Sequence, residues 1–71
     1  MSQSPRMSAA RYEIRYMPLS GRSPELSFPC DARGQVELDA LSDRARNNYL
    51  YARAVVGLEY AAPAVLPCEL H

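Results

Sequence analysis

The sequence predicts an α+β fold: an antiparallel sheet of two or three strands packed on one long amphipathic helix, followed by an extended C-terminal segment. Three observations predict it. Tyr12, Ile14 and Tyr16 alternate with Glu13, Arg15 and Met17, the period of a half-buried strand. Leu26, Phe28 and Cys30 repeat that alternation after a loop rich in proline, glycine and serine. From Ala40 the apolar spacing becomes helical, and Leu41, Ala45, Tyr49, Ala52, Val55 and Val56 fall on one arc at about 100° per residue.

Taken in chain order, residues Met1 to Ala10 carry three serines, a proline and no periodicity, and read as a disordered tail. The domain is expected over residues 11–66, with 67–71 as a frayed end. The first strand stops at Pro18, and the segment through Pro24 makes the connecting loop. Pro29 has no N–H for a ladder, so the second strand is expected at an edge. Asp31-Ala32-Arg33-Gly34 reads as a type I turn with an aspartate at its first position and a glycine at its fourth. After it, Val36 and Leu38 alternate briefly, which predicts a short third strand over Gln35 to Leu38. Asp39 is the expected N-cap, and the helix is expected from about Ala40 to Val56 with Gly57 as its C′ residue. Leu58, Tyr60, Val65 and Leu66, interrupted by alanines and Pro63, predict an extended segment lying across the domain and able to pair with a strand.

Composition narrows the function. Eight basic and eight acidic residues leave a formal net charge of zero, which removes the usual electrostatic argument for a polyanion-binding protein. Every basic residue is arginine, as a GC-rich genome would also produce. No stretch approaches the roughly 20 apolar residues needed to span a bilayer, and no apolar run follows Arg6 as in a secretory leader. The expected location is the cytoplasm.

Catalysis is not predicted. The one histidine, His71, is the final residue, where nothing orients it as a base. No nucleophile elbow, phosphate loop or zinc-protease motif is present. Glu37, Asp39 and Asp43 cluster near the expected helix start, where capping and the helix dipole attract acids without any chemistry. Cys68-Glu69-Leu70-His71 forms a C-x-x-H pair with Cys30 as a conceivable third ligand, but a structural zinc site needs four ligands on ordered backbone. No metal and no cofactor are expected. A Cys30–Cys68 disulfide would be unusual in the cytoplasm.

The helix side that ought to be polar carries the clearest functional signal. Leu50 projects almost opposite Leu41, beside Ala54 and Gly57 and between Arg46 and Arg53, with Tyr51 and Leu58 extending the apolar surface. A helix with apolar groups on both faces is either sandwiched in its own fold or docked on another chain. Leu50, Tyr51, Arg46, Arg53 and Ala54 are therefore the candidate binding residues, with another protein or a second copy as partner. The alternative is nucleic acid: Arg44, Arg46 and Arg53 are interleaved with Asn47, Asn48, Tyr49 and Tyr51, types that read base edges and stack on bases. Only Arg46 and Arg53 share a side of the wheel, and Asp43 dilutes them. Asn48 falls toward the middle of the apolar arc, which predicts a buried amide with hydrogen-bond partners.

The block Phe28-Pro29-Cys30-Asp31-Ala32-Arg33-Gly34-Gln35-Val36-Glu37-Leu38-Asp39, continuing through Arg46-Asn47-Asn48-Tyr49-Leu50-Tyr51-Ala52-Arg53 to Gly57, resembles small hypothetical proteins of Gram-negative bacteria. That resemblance implies a bacterial, cytoplasmic protein of unknown function and assigns no residue a role.

Overall fold

The structure, a computed structural model, describes residues 11–68. The tail expected over Met1 to Ala10 lies outside the described residues, as do residues 69–71. The elements are β1 (Tyr12–Tyr16), β2 (Leu26–Cys30), a 3-10 turn (Leu38–Ala40), α1 (Asp43–Ala54) and β3 (Ala64–Pro67). The fold is α+β, with a three-stranded antiparallel sheet in the order β2-β1-β3 and one helix.

Backbone chemistry decides which strand is central. β1 contains no proline and can bond on both sides, whereas β2 contains Pro29 and β3 contains Pro67. Arg11 C=O accepts from Cys68 N–H at 2.8 Å, so the odd-numbered residues of β1 bond toward β3 and the even-numbered ones toward β2. With Glu13 opposite Pro29 and Tyr12 opposite Pro67, both prolines then turn their ring nitrogens outward. Each free edge thus lacks an N–H where another strand would seek one.

The same logic corrects the third strand. A hairpin begins after β2 with Asp31 N–H donating to Gln35 C=O at 3.0 Å. Its next bond would fall on Pro29, which has no N–H, and residues 35–38 form no strand. The third strand comes instead from the C-terminal segment. That segment first continues the ladder past Tyr16, with Leu19 N–H donating to Glu59 C=O and Ala61 N–H to Met17 C=O, both at 2.9 Å. Ala62 and Pro63 then stand against the single residue Tyr16, and pairing resumes with Arg15 opposite Ala64. Pro67, expected to begin the frayed end, belongs to β3.

The helix is shorter than the apolar spacing predicts. Ser42, not Asp39, is its N-cap: the Ser42 hydroxyl accepts from Ala45 N–H at 3.1 Å, while Asp39 sits inside the preceding 3-10 turn. At the other end Val55 caps α1, and its carbonyl accepts the N–H groups of Leu58, Glu59 and Tyr60. Gly57, expected at C′, lies one position beyond it, with φ +90, the left-handed backbone that lets the chain reverse there. Val56 therefore leaves the helical arc and is exposed.

The core is Ile14, Tyr16, Phe28, Tyr49, Ala52 and Tyr60, with Leu26, Cys30, Val36, Leu41 and Val55 packed against it. Tyr16 is its hub, meeting Phe28, Tyr49 and Tyr60 edge-to-face at centroid distances of 6.2, 6.5 and 6.4 Å. Tyr60 was expected in a segment lying over the domain, but it is 1% exposed and donates its hydroxyl to Pro24 C=O at 2.7 Å.

Candidate interaction surface

With Tyr49 and Ala52 buried, the outer side of α1 is set by helical spacing: Asp43, Asn47, Leu50 and Ala54 face away from the sheet. Leu50 is 44% exposed and Tyr51 is 49% exposed. Beyond the helix end, the tight turn on Val55 pushes Leu58 outward until it is 81% exposed, the highest value among the exposed large apolar residues. Leu50, Tyr51 and Ala54 are thus exposed on α1, and Leu58 is exposed in the turn after it.

Asn48 is a correction. The buried arc centres on Ala52 and Tyr49 rather than on the wider set the spacing predicts, so Asn48 falls at its edge and is exposed. No buried amide needs a partner there.

The arginines are held by their own chain. Arg46 donates from Nε to Leu38 C=O at 3.4 Å and lies 3.5 Å from Asp43, tying α1 to the 3-10 turn. Arg53 sits over the Tyr49 ring, its guanidinium carbon 5.6 Å from the centroid. Both flank the Leu50–Ala54 side, as the spacing predicts. Arg44 is exposed on the opposite flank and makes no ion pair among the described residues.

One polar cluster was not legible in advance. Glu59 accepts from the Ser23 hydroxyl at 2.5 Å and from the Tyr51 hydroxyl, so one carboxylate joins the β1–β2 loop, α1 and the turn after it. These two bonds, the serine's first, hold the Glu59 carboxyl below its ordinary pKa, and the carboxylate in turn raises that of Tyr51. Ser23 and Glu59 are 36 residues apart, and no periodicity links them. The consequence at the surface is that the Tyr51 ring is fixed at the edge of the apolar side.

The remaining sites are weaker. The sheet face turned away from α1 is polar at its centre, where Arg15 pairs with Glu13 and lies 3.2 Å from Glu25. A shallow cleft of about 920 Å³ opens at the end of the sheet holding Arg11 and Cys68, bordered by Tyr12, Val36 and Leu38 and by Asp31, Glu37 and Asp39. Asp31 is engaged by its own turn, accepting from Gln35 N–H at 2.8 Å and Arg33 N–H at 2.9 Å, which lowers its pKa. Glu37 and Asp39 border the cleft, whereas Asp43 pairs with Arg46 on α1, so the three acids do not form one acid–base site.

Cys30 and Cys68 are both free thiols. Cys30 pairs with Tyr12 on one side of β1 and Cys68 bonds Arg11 on the other. Two strand spacings, about 9.5 Å, separate their backbones. A disulfide needs less than about 7 Å between Cα atoms. Burial pushes the Cys30 thiol up, with Asp31 adding to it, which makes it a weak nucleophile at neutral pH. Among the described residues no group of three metal-ligating side chains comes together, and no helix is long and apolar enough to cross a membrane. Comparison with protein-family models, with curated proteins and with solved structures finds no match to the chain.

Proposed function

We propose that this chain is a small non-enzymatic interaction module of the bacterial cytoplasm, which docks another protein or a second copy on the outer side of α1. The observation that carries this reading is the exposure of Leu50 and Tyr51 on the only α-helix in the described residues, and of Leu58 just beyond it. Scattered surface leucines are ordinary, but Leu50 shares its side of α1 with Ala54, a small residue that lets another surface approach closely. The outward prolines on β2 and β3 favour the helix over the sheet edges as the docking element. Two unpaired cysteines are compatible with a reducing compartment.

Nucleic-acid binding by Arg46 and Arg53 is the second reading, and the chain's formal net charge of zero weighs against it. Affinity capture from lysate of the source cells, with and without nuclease, tests the choice using wild type beside Leu50→Asp. The module reading expects a retained protein that nuclease leaves in place and Leu50→Asp loses. Capture abolished by nuclease and indifferent to Leu50→Asp overturns it in favour of nucleic acid.

A further inference from the structure

Resting on that reading, we infer that the partner of α1 is an acidic amphipathic helix rather than a second copy of this chain. Asn47, Leu50 and Ala54 follow one another at spacings of three and four, the seam of a helix–helix contact. The residues that flank such a seam meet the flanks of the partner. On one flank they are Arg46 and Arg53, and on the other Arg44 and Tyr51. Three arginines against the single acid Asp43 make α1 basic, although the whole chain carries a formal charge of zero.

A second copy fits this pattern poorly. In an antiparallel pair the Arg46–Arg53 flank faces itself, setting like charges against each other. In a parallel pair Asp43 sets its carboxylate against its own copy along the seam. A partner helix with leucines on its seam and glutamates on its flanks meets neither obstacle, and Asn47 can bond a polar seam residue that fixes register. The short contact sharpens the need for charge. Twelve helical residues span about 18 Å. That length cannot supply the roughly 1,200 Å² of a stable interface, so opposite charge on the rim contributes most to steering and selection.

The test uses the full chain and two synthetic helical peptides with identical leucine seams, one flanked by glutamate and the other by lysine. Binding is followed by amide chemical shifts, and self-association by sedimentation of the protein alone. Wild type should shift the amides of α1 and Leu58 on adding the glutamate peptide and prefer it over the lysine peptide by about tenfold, as two or three rim pairs predict. The double variant Arg44→Glu, Arg53→Glu should reverse that preference, with its melting curve confirming that it folds. Leu50→Asp should abolish binding of both peptides.

Equal binding of the two peptides at α1 overturns the acidic partner while leaving the docking face standing. Shifts confined to other elements, or binding that survives Leu50→Asp, overturn the docking face itself. A wild-type dimer in sedimentation that Leu50→Asp dissociates overturns the inference in favour of a second copy.

Discussion

Tyr60 provides the sharpest test of the fold, because two substitutions separate what its hydroxyl and its ring contribute. The side chain is 1% exposed, its ring is edge-to-face with Tyr16 at 6.4 Å, and its hydroxyl donates to Pro24 C=O at 2.7 Å. Tyr60→Phe removes only the hydroxyl bond. Pro24 is exposed, so water can reach the abandoned carbonyl and the cost stays near the ordinary net value of about 1 kcal/mol. In a domain of this size that lowers the melting temperature by about 4–8 °C. Tyr60→Ala also removes the ring, at a cost of about 3–5 kcal/mol. A core this small supplies a net stability of only about 3–5 kcal/mol, so the alanine variant should show no cooperative transition. The assay is thermal unfolding followed by circular dichroism, with Tyr16→Phe as control, since the side-chain hydrogen bonds among the described residues include none from the Tyr16 hydroxyl. Melting of both Tyr60 variants within about 2 °C of wild type, well inside the expected shift, would refute the placement of Tyr60 in the core and with it the path of the C-terminal segment.

The other predictions address the helix start, one turn and the response to acid. Ser42→Ala should destabilise by about 1 kcal/mol, whereas Asp39→Ala should stay within about 0.5 kcal/mol, measured by urea titration; the reverse order would restore the longer helix. Gly34→Ala should lower the melting temperature measurably, because Gly34 has φ +87 and an added Cβ would lie 3.0 Å from the Val65 side chain, while Gly21→Ala, with nothing within 4 Å, should be neutral. Glu59 and Asp31 have depressed folded pKa values, so the stability each contributes is complete above its unfolded pKa and is lost as pH falls through the folded one. Melting temperature should thus be flat near neutrality and fall below about pH 4, and Glu59→Gln should shrink that fall. An unchanged acid limb in Glu59→Gln would show that the Ser23 and Tyr51 bonds do not form.

Short-range chemistry was legible in the residues themselves. The alternation in Tyr12–Tyr16 and Leu26–Cys30 set both strands and their buried faces, because a strand sends alternate side chains to opposite sides whatever it packs on. The turn at Asp31–Gly34 and the left-handed glycine after α1 were legible for the same reason, each resting on one residue's backbone freedom. Leu50, Tyr51 and Ala54 could be placed on the outer side from helical spacing alone, even though the helix began and ended elsewhere than expected.

What the tertiary structure alone decided was the choice among local alternatives of similar merit. Val36 and Leu38 alternate as strand residues do and Val65 and Leu66 are merely adjacent, yet only the latter pair found a strand with a full set of free N–H and C=O groups, on the side of β1 that β2 leaves open. Asp39 and Ser42 are both good caps, and Ser42 became the cap while Arg46 engages the carbonyl of Leu38 in the preceding turn. Ser23, Pro24, Tyr51, Glu59 and Tyr60 came together through contacts spanning up to 36 residues. Such contacts depend on the path of the whole chain, because hydrogen bonds and edge-to-face packing act over a few ångströms of space and carry no period along the sequence.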